Sequence, residues 1–168
     1  MQYEIRLIRP DELPQVIELE QTCFPPNEAC SPKHLSERYE AAPELFLGVE
    51  NRETGLLVGM LNGIAVNEEH FRDEFFTDIA LHNPKGAQVM LCGLEVLAEH
   101  RGRGLARKLV ETYAAIEQKR GRAKLVLTCL DEKVEMYRKM GFNDLGMAHS
   151  TWGGEEWHEM VRDLIPAS

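Results

Sequence analysis

The stretch Leu91–Ala106, LCGLEVLAEHRGRGLA, constrains this chain more than any other. An apolar strand runs into a short polar connection, and Arg101-Gly102-Arg103-Gly104-Leu105-Ala106 then opens a helix. Glycines at a strand-to-helix junction let backbone N–H groups come close to an anion, and the positive end of the helix dipole adds to the attraction. A diphosphate suits such a turn, which points to a nucleotide-tailed cofactor. A dinucleotide-binding domain would carry G-x-G-x-x-G in its first β-α unit, whereas these glycines come after residue 100.

Hydrophobic periodicity organises the rest. Tyr3, Ile5 and Leu7 alternate with polar neighbours as in a strand. Pro10 and Asp11 start a helix with Leu13, Val16 and Ile17 on one face, and Pro25-Pro26 ends it near Cys23. Ser31-Pro32 reads as an N-cap with a first-turn proline, opening a helix to about Ala42. Leu45–Glu50 and Leu56–Ile64 form a hairpin through Asn51–Gly55. Residues 65–86 are polar and irregular, with a helix expected around Glu68–Asp78.

A strand over Ala87–Leu97 precedes the glycine turn. Leu105, Leu109, Val110, Tyr113 and Ile116 stripe the next helix, and Gly121 ends it. Lys124–Cys129 is a strand, Lys133–Met140 a short helix, and Asn143–Ala148 and Trp157–Asp163 are strands around Gly153-Gly154. The order β-α-α-β-β-(α)-β-α-β-α-β-β predicts an α/β domain over 1–168, a mixed, mostly antiparallel sheet with helices on both faces.

The net charge of −9 argues against a nucleic-acid partner and suits a cationic small molecule. No run approaches a membrane span and the N-terminus lacks a signal peptide's apolar centre, so no membrane partner and a cytoplasmic location are expected. Cys23, Cys30, Cys92 and Cys129 show no CxxC spacing and no neighbouring histidine cluster, which predicts free thiols and no metal site. The six histidines are scattered, and His82 before Pro84 reads as a turn former.

Arg101-x-x-Gly104-x-Ala106 after Leu94-x-Val96, followed by Tyr137-Arg138-Lys139-Met140-Gly141-Phe142, resembles the phosphate loop and tyrosine motif of the GNAT superfamily of acyl-coenzyme A N-acyltransferases. The segments PELFLG, ALHNPKG and LTCLDEKVEMYRKMGF are similar, in order, to segments of its arylalkylamine (serotonin-type) branch. The resemblance implies a GNAT fold and direct transfer of an acetyl group from acetyl-CoA to a small cationic amine in a ternary complex, by a monomer or homodimer. Arg101, Gly102, Arg103, Gly104, Leu105, Ala106 and Arg107 would receive the phosphates. Leu94, Glu95 and Val96 would supply strand backbone, with an N–H near Glu95 or Val96 facing the thioester carbonyl. Tyr137 would protonate the departing sulfur.

Two departures accompany the resemblance. The branch's two strand histidines, which help take the amine's proton, correspond to Met90 and Cys92, and Leu130 stands near the superfamily's usual asparagine. The base is therefore open. Glu28, in the loop leaving the first helix, is the first candidate to attract the ammonium and accept its proton, ahead of Glu20 and Glu95. Strand alternation from Met90 and Cys92 places Glu95 on the opposite face. A polyamine, drug or protein N-terminus as acceptor, or a weakly catalytic acyl-CoA sensor, are the alternatives.

Overall fold

The computed structural model describes residues 2–164. Seven strands, β1 (Tyr3–Leu7), β2 (Phe46–Asn51), β3 (Leu56–Val66), β4 (Gln88–Val96), β5 (Lys124–Cys129), β6 (Asn143–Met147) and β7 (His158–Asp163), form one sheet in the order β1-β2-β3-β4-β5-β7-β6. Neighbours are antiparallel except β4 and β5, which run parallel. Helices α1 (Leu13–Cys23), α2 (Pro32–Ala41), α3 (Glu74–Thr77), α4 (Leu105–Lys119) and α5 (Val134–Lys139) complete the mixed α/β fold expected from the sequence.

Both faces of the sheet are covered, which explains why β3 (LLVGMLNGIAV) is buried at every position but Leu56 and shows no alternation. On one face, Leu109, Val110 and Tyr113 of α4 pack with Val89, Leu91, Leu125 and Leu127. On the other, Val16 and Leu19 of α1 meet Phe46 and Met60, while Phe71 and Phe75 cover Ile64, Met90 and Val126. Ser31 caps α2 as expected, its Oγ accepting the His34 N–H at 3.2 Å behind Pro32.

The structure corrects four local expectations. The helix around Glu68–Asp78 is only the single turn α3, followed by a 3-10 turn at Ile79–Leu81. Its anchors are Phe71 and Phe75, too few for a longer amphipathic face. Leu45 closes a 3-10 turn begun by Pro43 instead of opening β2. His82 does more than shape a turn, since its Nδ1 accepts the Ala65 N–H at 3.0 Å.

The fourth correction bears on the site. Asn62 pairs with Gly93 but Gly63 pairs with Leu91, so Cys92 is an extra residue in β4. This bulge shifts the strand's phase by one residue. Val89 and Leu91 face α4, and so does Val96. Glu95 consequently lies on the same face as Met90 and Cys92, not opposite them, with its carboxyl close to Glu20 of α1.

Candidate active site

β4 and β5 pair only over Gln88–Met90 and Lys124–Val126. β4 continues to Val96 and β5 to Cys129, and between the diverging ends lies a cleft of about 680 Å³. The parallel pairing is lost where the β4 bulge re-aims the strand. One end of the cleft reaches the start of α4; the other opens between the α1–α2 loop and the β6–β7 loop.

At the α4 end, Gly102 and Gly104 have φ of +77° and +76°. A Cβ at either would meet no atom within 4 Å, so the space above the turn is open. Gly104 is the N-cap of α4, and the first intrahelical bond runs from the Lys108 N–H to its carbonyl at 3.1 Å. The N–H groups of Leu105, Ala106 and Arg107 therefore have no intrahelical partner, as in any first helical turn. Arg101, Gly102, Gly104, Leu105, Ala106 and Arg107 line the cleft; Arg103 is exposed and outside it. The Arg101 Nε donates to the Val96 carbonyl at 2.8 Å and ties the turn to the end of β4.

Leu94, Glu95 and Val96 also line the cleft, but their backbones differ. The Leu97 N–H donates to Val58 O at 2.8 Å. In an antiparallel ladder, alternate residues turn both polar groups to the same neighbour. Glu95 therefore spends its N–H on β3, while Leu94 and Val96 turn theirs into the fork. Of the two backbone donors expected from the sequence, Val96 thus turns its N–H toward the cleft, as Leu94 does, and Glu95 turns its N–H toward β3.

Tyr137 sits on α5 beside Cys129, its ring 9% exposed and edge-on to Phe142 at 5.6 Å. Burial, then Cys129 and Glu95, push its phenol well above the usual value near 10. It stays protonated at neutral pH and can donate its proton. Leu130 lines the cleft where the resemblance would put asparagine and offers no side-chain donor.

Two loops meet over the other end. Asn27 Nδ2 donates to Gly153 O at 3.0 Å, and Trp152 Nε1 donates to Glu28 O at 2.8 Å. A Cβ at Gly153 would stand 2.6 Å from the Asn27 carbonyl, so glycine is required at this crossing as well as for its φ of +64°. Phe24, Phe76, Trp152 and Trp157 supply aromatic walls, with Phe76 and Trp152 4.5 Å apart. Glu28 is half-buried on this rim. Partial burial, Glu155 and Glu132 raise its carboxyl above the ordinary range.

Met90 and Cys92 lie beneath these walls. Met90 packs with Ile64, Phe71 and Phe75, and the Cys92 sulfur is 3.8 Å from the Phe75 carbonyl. Glu20 and Glu95 line the same region, only 2% and 4% exposed, and burial raises both carboxyls. This pairing was hidden because the bulge reverses the alternation that the sequence suggests for Glu95. Its signal was Glu20 on the apolar face of α1, one turn after Val16.

The family model described as Acetyltransferase (GNAT) family matches residues 13–142. A serotonin N-acetyltransferase of Mesocricetus auratus is 29% identical over 165 residues, covering 96% of this chain and 77% of that protein. Among solved structures, the GphF GNAT-like decarboxylase in complex with isobutyryl-CoA superposes with a TM-score of 0.82 at 20% identity, covering 96% and 100% of the two chains. A GNAT family N-acetyltransferase, YhbS, from Escherichia coli in complex with CoA gives 0.65 at 22% identity, with 97% and 82% covered. The forked sheet, the glycine turn at the start of α4 and the match over residues 13–142 make this chain a member of the GNAT acetyltransferase family.

Proposed function

We infer that the protein transfers an acetyl group from acetyl-CoA to a primary amine by direct attack while both are bound. The observation that carries this reading is the cleft itself, with an open turn of unpartnered amides at one end and an acidic, aromatic channel at the other. Acyl-coenzyme A supplies an activated acyl thioester. The chain's residues must hold it, polarise its carbonyl and manage protons.

The nest fits a diphosphate, because the left-handed Gly102 and Gly104 leave open space above the unpartnered first-turn amides of α4. The fork gives the pantetheine arm a slot in which Val96 and Leu94 offer backbone partners. The Leu94 N–H, just past the bulge, is directed at the thioester carbonyl; one such donor is typically worth about 10²–10³ in rate. Tyr137, held protonated, donates to the leaving sulfur. Glu28, with Glu132 and Glu155 nearby, draws the charged amine to the channel mouth.

The aromatic walls and acidic rim support a small arylalkylamine-like acceptor: the rings take an aryl group, the carboxylates its ammonium. The likeness to a serotonin N-acetyltransferase points the same way. The test is a panel of tryptamine, phenethylamine, spermidine and a peptide N-terminus with acetyl-CoA, reading the acetylated product by mass. An aryl preference is expected; preferential use of the peptide or spermidine would replace this acceptor assignment.

A further inference from the structure

Glu20 and Glu95 form a buried carboxyl pair whose chemistry the motifs leave unused. Glu20 is tied down, its Oε2 accepting the Cys30 N–H at 2.9 Å. Apart from the Glu20 carboxyl beside it, Glu95 has no hydrogen-bond partner among the described residues, although both of its oxygens are buried. A buried polar group without a partner is costly, and a native fold keeps few of them. Gly93 makes the convergence possible, since a Cβ there would stand 2.8 Å from Glu95 Oε1 and 3.5 Å from Glu20 Oε1.

Two carboxyls crowded together out of water cannot both ionise easily, so one proton is shared at neutral pH. Glu95, without donors, carries it, and Glu20, held by Cys30 N–H, is the ionised member. The surrounding groups fit this state. Arg38 from α2 is buried and bonded to Asn62 Oδ1 at 2.8 Å and Phe76 O at 3.0 Å, and its charge favours one ionised carboxyl in the pair. Burial raises the thiols of Cys23 on α1, Cys30, and Cys92 on β4, with Cys30 pushed up to about 12, so all three remain neutral.

We propose that this pair is the proton acceptor for the acceptor amine, replacing from α1 and the bulged end of β4 the histidines that Met90 and Cys92 do not supply. The inference rests on the amine-acetyltransferase reading above. The ammonium enters past Glu28 and meets Glu95 and Glu20 at the channel floor. One N–H bond breaks, its proton passes to Glu20, and the pair becomes a neutral diacid while the amine becomes neutral. The nitrogen lone pair then forms the C–N bond as the C–S bond breaks, Tyr137 protonates the sulfur, and the nitrogen's second proton replaces that of Tyr137. The pair releases its extra proton to water after the products leave.

The experiment compares phenethylamine, charged at neutral pH, with trifluoroethylamine, largely neutral there, using wild type, Glu20→Gln and Glu95→Gln. Folding is checked by coenzyme A binding. For phenethylamine, Glu20→Gln should lower kcat/KM at pH 7 by about 10²-fold, a typical loss of general-base help, with recovery as pH rises. For trifluoroethylamine the loss should nearly disappear. Glu95→Gln should also lose rate, and its acid limb should titrate in one step where the wild type titrates in two.

Equal losses for both amines in folded variants, or an unchanged pH profile, would overturn the assignment. If neither variant folds, the wild type carries the test: an acid limb with phenethylamine that is replaced by the amine's own titration with trifluoroethylamine supports the pair, and one common limb overturns it. A wild type that acetylates no amine overturns the underlying reading and the pair's role with it; an active wild type with insensitive variants overturns only the pair.

Discussion

Replacing Tyr137 with Phe isolates one hydroxyl. The ring packs within the α4-side core and edge-on to Phe142 at 5.6 Å, and these contacts survive the substitution. Among the described residues the hydroxyl has no hydrogen-bond partner, so its removal should cost well under the ~1 kcal/mol of an ordinary internal hydrogen bond. For a domain of this size that corresponds to a fall of at most about 2–4 °C in Tm. Acetyl-CoA affinity should hold, because the phosphate nest and fork backbone lie on other elements.

Turnover should behave differently. If Tyr137 protonates the sulfur, kcat should fall by about 10²–10⁴, equivalent to roughly 3–5 kcal/mol of transition-state stabilisation. Burial keeps the phenol protonated well beyond its usual titration, so the ratio of wild-type to variant rate should be flat from pH 6 to 9. The assay is initial-rate thiol release with a saturating amine, alongside calorimetric coenzyme A binding and thermal unfolding. A folded Tyr137→Phe protein that binds acetyl-CoA and turns over at the wild-type rate would remove the hydroxyl from the mechanism.

Further outcomes follow from other parts of the cleft. Gly104→Asp adds a Cβ at φ +76° and a negative charge in the nest, so coenzyme A affinity should fall at least about tenfold, measured by titration calorimetry; unchanged affinity in a folded variant would move the phosphates elsewhere. Glu28→Gln removes a half-buried charge at the mouth and should raise KM for cationic amines by about three- to tenfold with little change in kcat, an effect that weakens with added salt. The Glu20–Glu95 pair also has a stability signature. Both carboxyls are raised in the fold, so the native state binds more protons than the unfolded chain above the ordinary glutamate value of about 4.3, and the pair's contribution falls as pH rises from there. The Tm of wild type relative to Glu95→Gln should therefore climb as pH is lowered from 8 to 5; a flat difference would mean that the Glu95 carboxyl is not raised in the fold.

Much of this architecture is legible in the chain because it rests on local physics. Ser31-Pro32 caps a helix through one hydroxyl and one fixed φ, and the stripe Leu105, Leu109, Val110, Tyr113 specifies the buried face of α4. The glycine turn announces its left-handed residues directly. Three features depend on what the chain meets elsewhere. The bulge at Cys92 arises from pairing with β3, and it alone turns Glu95 toward Glu20. Gly153 reads as a turn residue, yet its lack of a side chain also admits the Asn27 carbonyl from a loop over a hundred positions away. Residues 67–73 hold no helix because Glu159 of β7 accepts the Phe71 N–H and bonds to His70, fixing the segment by a distant carboxylate.

The most direct measurement follows free coenzyme A thiol and N-acetylated product together while acetyl-CoA and phenethylamine are each varied. Attack within a ternary complex predicts one thiol per acetylated amine, intersecting double-reciprocal lines and no acetyl group left on the protein. Parallel lines with an acetylated protein would contradict direct transfer. Tight acetyl-CoA binding with no thiol released above hydrolysis for any amine would contradict catalysis and leave an acyl-coenzyme A sensor.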